Sequence, residues 1–353
     1  MKPVRALLPL SWVYGAVAGA RNILFDRGLL AVEDAGVPVI SVGNLTAGGT
    51  GKTPLVEYVV RRLLERGRKP GVVSRGYGRA GRGTVVVADG GVLRVGAAEA
   101  GDEPLQIARK FPGAAVVVGE RRADAARVAV RACGADVVVM DDGFQHRGLG
   151  RDFDLVAVDA RMDLRHEPML PAGLRREPLS GLRRADLVVL TRAEDPGVRG
   201  RAAAMLRPLF GGPAAAAGTR LTGFRTLDGG TALDSRALAG LPVLLFCGIG
   251  SAAAFSRTVA HAGATVVKAI EFPDHHRFGP DDLRRVIAGG REAGARWVVT
   301  TEKDACRLAG LPAATVNVLA GAAVLHTVVE TEFYAGEELV LGWLDAALAQ
   351  RRP

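Results

Sequence analysis

The chain has 353 residues, 48% of them hydrophobic and 24% charged, which excludes a disordered polar chain and leaves room for two domains of ordinary size. A formal net charge of +9 and a pI of about 10.0 point to an acidic partner (nucleic acid, nucleotide phosphates or an anionic membrane) or to an arginine-rich surface that keeps the protein in solution. Cys133, Cys247 and Cys306 form no CxxC pair, which argues against a disulfide framework or a zinc site and for a reducing cytoplasm.

No stretch reaches the ~18 apolar residues that a membrane-crossing helix needs. The nearest, residues 6–20, is interrupted by Pro9 and Gly15 and closed by Arg21. Lys2 and Arg5 precede it, as in a signal peptide, but a nucleotide-binding loop follows soon after, so the segment reads as retained. Leu7, Leu10, Tyr14 and Val17 recur at near-helical spacing, with Leu8, Trp12 and Val13 thickening the apolar side. With Lys2, Arg5, Arg21 and Arg27 flanking it, the stretch suits a helix lying among lipid headgroups. The plainer alternative is an amphipathic helix packed on the next domain.

From residue 37 onward, strand-like runs alternate with helix-like ones. Residues 37–42 read as a strand, 54–66 as a helix and 70–74 as a second strand. Residues 85–87 and 92–95 form a short hairpin turning at Asp89-Gly90-Gly91. A helix over 103–110, a strand over 115–118 and a helix over 121–132 follow. Residues 137–140, 155–158 and 187–190 are further strands. The composition of 211–218 (GGPAAAAG) reads as a linker. A second series has strands over 243–246, 265–270 and 297–300, with helices over 252–262 and 280–293. A last helix covers 337–349. This rhythm predicts an α/β fold with parallel strands and crossover helices.

The strongest motif is Gly43-Asn44-Leu45-Thr46-Ala47-Gly48-Gly49-Thr50-Gly51-Lys52-Thr53. It lies between a predicted strand and a predicted helix, the setting of a phosphate-binding P-loop. Thr46, Ala47, Gly48, Gly49, Thr50 and Gly51 would wrap backbone N–H groups around phosphate oxygens. Lys52 would reach the β- and γ-phosphates of ATP, and the Thr53 hydroxyl would ligate Mg²⁺. The standard pattern has glycine where this chain has Thr46, so the loop is closer to the GGxGKT variant. Further on, Val137-Val138-Val139-Met140-Asp141-Asp142 reads as a buried strand delivering carboxylates to its C-terminal edge.

Seven words occur in order: NLTAGGTGKTP from Asn44, SRGYG from Ser74, GDEP from Gly101, DDGFQH from Asp141, PAGLRREP from Pro171, FPDH from Phe272 and TEKD ending at Asp304. Together they resemble the tetraacyldisaccharide 4'-kinase family of lipid A biosynthesis, nearly end to end and including the segment with Trp12. The resemblance implies transfer of the ATP γ-phosphoryl group to the 4'-hydroxyl of an acylated glucosamine disaccharide 1-phosphate, giving lipid IVA. It implies a P-loop kinase lobe and a smaller α/β/α lobe joined by a β-ribbon near 219–224 and 324–330. The expected division is a membrane-associating segment over 1–30, a kinase domain over 31–212 and a second domain over 219–330, with a helix in 331–353 packing back on the kinase domain.

By the same resemblance, Asp102 matches the catalytic aspartate and His275 the histidine paired with it. From the residues alone, Asp102 also reads as a helix N-cap before 103–110, and His276 could take the role of His275. Asp142 and Glu177 are magnesium candidates, with Asp141 beside them. Arg122 and Arg176 would steady phosphates, and Gln145 and His146 would orient the nucleotide or the sugar. The family's segment is closer to PAGPLREP, so the carry-over rests on Arg176 and Glu177 rather than Arg175. His166, His261 and His326 carry no motif, and Lys303 and Asp304 either line the cleft or cap a helix.

The expected setting is the cytoplasmic leaflet of the inner membrane, held peripherally, with no protein partner implied. Rival readings are a cargo-partitioning ATPase, a GTPase and a non-catalytic P-loop protein. No Asn-Lys-x-Asp word supports a GTPase, and with 5% aromatics and no basic-aromatic stripe the chain is not read as a nucleic-acid binder.

Overall fold

The computed structural model describes residues 4–227, 229–319 and 322–350. Lys2 lies outside them, as do residues 351–353 of the last expected segment.

The chain opens with α1 (Leu8–Asp26). Then come β1 (Val39–Asn44), α2 (Lys52–Glu65), β2 (Pro70–Ser74), β3 (Val85–Asp89), β4 (Val92–Leu93), α3 (Ala97–Ala100), α4 (Asp102–Lys110), β5 (Ala115–Val118), α5 (Arg122–Arg131) and β6 (Val137–Asp141). They are followed by β7 (Phe153–Asp159), β8 (Leu187–Thr191), α6 (Pro196–Leu206), β9 (Ala214–Thr226) and β10 (Ala232–Asp234). The remainder is β11 (Pro242–Cys247), α7 (Ala252–His261), β12 (Thr265–Glu271), α8 (Pro280–Glu292), β13 (Trp297–Thr300), α9 (Glu302–Leu308), α10 (Ala313–Val316), β14 (Val324–Ala335) and α11 (Glu337–Gln350).

The described strands form one sheet in the order β12-β11-β13-β14-β9-β8-β7-β1-β6-β2-β5-β3-β4, with β10 beside β9. The run β8-β7-β1-β6-β2-β5 is parallel throughout, as is β12-β11-β13-β14. Between them β9 and β14 pair antiparallel over most of their length. This ribbon carries the sheet from one half to the other.

Apolar periodicity explains the first half. On α2, Leu55, Val56, Val59, Val60 and Leu63 are buried against β-strand residues such as Ile40, Val72 and Val139. All six residues of β1 are buried, as expected for a strand covered on both faces. Val340, Leu344 and Ala347 of α11 join that same core, and Trp343 stacks on Phe153 at 5.6 Å. Separate clusters around Phe246 and Leu283, and around Phe224 and Phe255, fill the second half.

Two departures from the sequence reading have physical causes. The alanine-rich 211–218 stretch, expected as a linker, supplies the start of β9. Ala215, Ala216 and Ala217 are buried, their small side chains fitting beneath α11 and against the cluster around Leu190. Helix α6 went unread because its Gly-Arg-rich start hides the apolar period. Its Asp195 N-cap accepts a hydrogen bond from the Val198 N–H at 2.8 Å.

Helix α1 docks by its polar side. Ser11 is buried, and its hydroxyl donates to the Met169 carbonyl at 2.9 Å. Tyr14 donates to the Arg176 carbonyl at 2.9 Å, and Asn22 Nδ2 to Glu177 Oε2 at 2.8 Å. Trp12, Val13 and Val17 point outward, 73%, 62% and 64% exposed, so the apolar face is the free one. Among the described residues, no helix is long and apolar enough to cross a membrane.

Candidate active site

β1 has β6 on one side and β7 on the other, so the chain turns at the point in the sheet where α/β proteins bind ligands. The loop leaving β1 is the predicted P-loop. Gly51 takes φ +75° and begins α2 as its N-cap, and Gly48 sits at φ +93° with open space where a Cβ would go. Gly43 has a different duty: a Cβ there would lie 2.5 Å from the Phe144 Cβ, so the glycine lets the Asp141–His146 segment pack against β1. Asn44 Nδ2 donates to Thr50 Oγ1 at 2.9 Å, and Thr191 Oγ1 to the Thr50 carbonyl at 2.6 Å. The Ala47 N–H donates to the Leu174 carbonyl at 2.7 Å, which clasps the Pro171–Pro178 segment along the loop.

At the mouth of the loop, Lys52 Nζ reaches Asp142 Oδ1 at 2.7 Å. Arg176 Nη1 lies 2.8 Å from each oxygen of the same carboxylate. Burial opposes the charge on Asp142, but Lys52 and then Arg176 outweigh it and hold the carboxyl down at about 2. Asp141, next door and buried, accepts from Ser74 Oγ at 2.9 Å. Its carboxyl is pushed up to about 6 by burial and then by Glu103. Two adjacent aspartates are thus set apart, one carboxyl held low and the other raised.

Glu177, the other metal candidate, is tied into the fold. It is 2% exposed, and its oxygens accept from Gln145 at 2.9 Å and from Asn22 and Arg184 at 2.8 Å. It ties α1 to the loop, because Gln145 Nε2 also donates to the Asn44 carbonyl at 2.8 Å. His146 Nε2 accepts from the Arg122 N–H at 3.3 Å. Burial, then Arg122 and Arg21, push the imidazole down to about 4, so it is neutral at physiological pH. Arg122 is buried, and its Nε lacks a hydrogen-bond partner.

The second constellation spans the two halves of the sheet. Asp102 is the first residue of α4, and Gly101, not Asp102, is the N-cap. The aspartate carboxylate makes no cap bond. Instead Asp102 Oδ2 lies 3.1 Å from His275 Nδ1. His275 follows β12 and takes φ +61°, a left-handed turn that brings its ring beside Tyr77 at 5.8 Å. His276 turns away: its Nε2 lies 2.9 Å from Asp282 Oδ2 and its ring stacks on Phe272 at 4.7 Å. Lys303 meets Glu103 at 3.2 Å, and Asp304 is fully buried as a partner of Thr301.

Arg307 was missed in the sequence. Its Nε and Nη2 lie 2.8 and 2.7 Å from Asp102 Oδ2. The one signal available was its place three residues after Asp304, one helical turn along α9.

A P-loop beside an ionised aspartate can hold a nucleotide triphosphate, and a carboxylate–imidazole pair can take a proton from a hydroxyl. A family model described as tetraacyldisaccharide-1-P 4'-kinase matches residues 4–348. The tetraacyldisaccharide 4'-kinase of Anaeromyxobacter sp. (strain Fw109-5) is 44% identical over 346 residues, 98% of this chain and 91% of that one. That of Geobacter metallireducens is 41% identical over 310 residues, 86% of this chain and 89% of that one. The crystal structure of the "apo" form of LpxK from Aquifex aeolicus in complex with ATP is 31% identical with a TM-score of 0.79, covering 98% of this chain and 99% of that one. With matches that run almost end to end, the chain belongs to the tetraacyldisaccharide-1-P 4'-kinase family.

Proposed function

We infer that the protein transfers the γ-phosphoryl group of ATP to the 4'-hydroxyl of a tetraacylated glucosamine disaccharide 1-phosphate, forming lipid IVA. The observation that carries this reading is the meeting of Asp102 and His275 at 3.1 Å, from opposite halves, in a chain that also has the P-loop lysine. A nucleotide-binding protein without transfer chemistry has no use for that pair.

The hydroxyl oxygen attacks the γ-phosphorus as the bond to the β,γ-bridging oxygen breaks. ADP leaves with that electron pair, and the hydroxyl proton passes to Asp102, with His275 stabilising it. Lys52 and Arg176 supply positive charge where it develops on the phosphoryl oxygens. Arg122 and the neutral His146 line the same edge and orient the substrates with Gln145.

The donor set fits a magnesium ion. Asp142 is ionised and half-buried, and Thr53 follows Lys52 on α2. Among the described residues no group of three acidic, histidine or cysteine side chains forms a cage. Mg²⁺ commonly takes only one or two protein oxygens and fills the rest with phosphate and water. Thr53 and Asp142 would hold it, with Glu177 as the further candidate. Bound there, the ion would neutralise charge shared between the β- and γ-phosphates.

The two halves act as lobes, residues 31–212 with α11 and residues 219–330, hinged at the β9–β14 ribbon. The exposed apolar face of α1 seats the protein on the cytoplasmic leaflet of the inner membrane, where the lipid acceptor resides. Thin-layer analysis of labelled phosphate passed from ATP to the disaccharide 1-phosphate tests the reaction. Hydrolysis of ATP without a labelled lipid product rejects it.

A further inference from the structure

We propose that Arg307 is a positioning residue for the Asp102–His275 pair, gripping one carboxylate oxygen from the opposite half of the sheet so that the other oxygen is kept for the acceptor hydroxyl. The inference rests on the kinase reading above. Arg307 is 8% exposed. Its Nε and Nη2 converge on Asp102 Oδ2 at 2.8 and 2.7 Å, where His275 Nδ1 also arrives at 3.1 Å. Among the described residues, none donates a hydrogen bond to Asp102 Oδ1.

The other end of the guanidinium is anchored just as firmly. Arg307 Nη1 donates to Asp304 Oδ1 and to the Gly248 carbonyl, both at 2.7 Å. Asp304 is held in turn by Thr301 Oγ1 at 2.7 Å and by the Gly248 N–H at 3.1 Å. The Gly248 carbonyl also accepts the His275 N–H at 3.1 Å. One arginine therefore fixes the aspartate, and a single carbonyl fixes both the arginine and the histidine backbone. Such a geometry sets both members of the pair at once.

A lysine could not do this, because it is a point charge, whereas a guanidinium offers a planar fork. An arginine cannot itself accept the hydroxyl proton. A buried ion pair is a poor stabilising device, since desolvation offsets its attraction, so the network calls for a reason beyond stability.

The charge has a consequence for pH. Burial opposes ionisation of Asp102, but Arg307, then His275 and Lys303, hold its carboxyl below the usual range. The other charged or titratable groups around the cluster are Asp304, which meets Arg307, Cys306 on α9, Glu103 next to Asp102 on its helix, and Asp274 and Tyr77 beside His275. Removing the guanidinium raises the proton affinity of Asp102.

The test compares Arg307→Gln and Arg307→Lys with the wild type in phosphoryl transfer to the lipid acceptor across pH. For Arg307→Gln, kcat falls by roughly 10–100-fold, the scale of a misplaced catalytic group. The KM for ATP stays put, and the acidic limb of the kcat/KM profile moves to higher pH. Arg307→Lys keeps the charge, so its acidic limb stays close to wild type while kcat recovers only in part. If Arg307→Gln does not fold, Arg307→Lys alone decides: full wild-type kcat overturns the proposal. A loss of kcat in Arg307→Gln with an unmoved acidic limb also overturns it, leaving a purely structural tie. No transfer by the wild type rejects the kinase reading; an active wild type, a dead Asp102→Ala and wild-type behaviour at position 307 reject this inference alone.

Discussion

Lys52 Nζ lies 2.7 Å from Asp142 Oδ1, so the lysine that would meet the phosphates is in contact with the carboxylate that would hold the metal. The two groups are aimed at one spot, with the Asp142 carboxyl held low, and a triphosphate with its metal would slot between them. Lys52→Ala is expected to lower kcat by about 10²–10³-fold, the usual cost of losing one preorganised charge at the transferring group. Initial-rate kinetics at saturating ATP check this. Near-wild-type turnover would end the P-loop assignment.

Asp102→Ala is expected to lower kcat by roughly 10²–10⁴-fold, the scale of a general base, with ATP affinity little changed. His275→Ala lowers kcat as well. The double variant costs less than the sum of the two, because residues that act as one unit are not additive. Strictly additive losses would show that the 3.1 Å contact is incidental to the chemistry.

His146 gives a stability signature of opposite sign to its neighbour Asp141. The imidazole is held neutral, down at about 4, against about 6.5 in an unfolded chain. Between those values the unfolded chain binds the proton and the folded one does not, so stability falls as pH drops from about 6.5 towards 4. Asp141, raised to about 6, works the other way, gaining stability as pH falls from there towards its unfolded value. The comparison must therefore be His146→Gln against wild type, with Asp141 present in both. Thermal melts at pH 7 and pH 5 should show a larger drop for the wild type than for His146→Gln. Equal drops would mean that the imidazole titrates normally.

What was legible in the sequence is what depends on local pattern. The P-loop glycines, the apolar runs of β1 and β6 and the paired aspartates are short words with one physical reading. Asp102 and His275 were legible only through resemblance, since 173 positions separate them and no local spacing links an N-terminal helix residue to a turn after β12. Arg307 could not be found this way. It is one of 46 basic residues, and its role comes from contacts across the fold. For Glu177 the sequence shows a carboxylate but not its three donors, which come from α1, the Asp141–His146 segment and Arg184. Periodicity likewise found a stripe on α1 without saying which side faces inward.

That orientation of α1 sets the last prediction. An amphipathic helix packed on a domain normally buries its apolar stripe. Here Ser11 is the buried residue, and Leu10, Trp12, Val13 and Val17 are exposed. The apolar face is thus available to lipid, and Arg27 sits at the far end to meet anionic headgroups. Deleting the segment is a blunt test, because Tyr14, Arg21 and Asn22 bond to Arg176, Gln145 and Glu177, and their loss would disturb the site. The sharper variant changes only outward residues: Trp12→Glu combined with Val13→Glu and Val17→Glu. Co-sedimentation with anionic vesicles should weaken by about tenfold or more, equivalent to at least ~1.4 kcal/mol. The melting temperature stays within a degree or so, because exposed side chains contribute little to stability. If the triple variant sediments as strongly as wild type, the lipid contact lies elsewhere on the protein. If it sediments weakly but melts far lower, the face is buried in solution by something other than lipid.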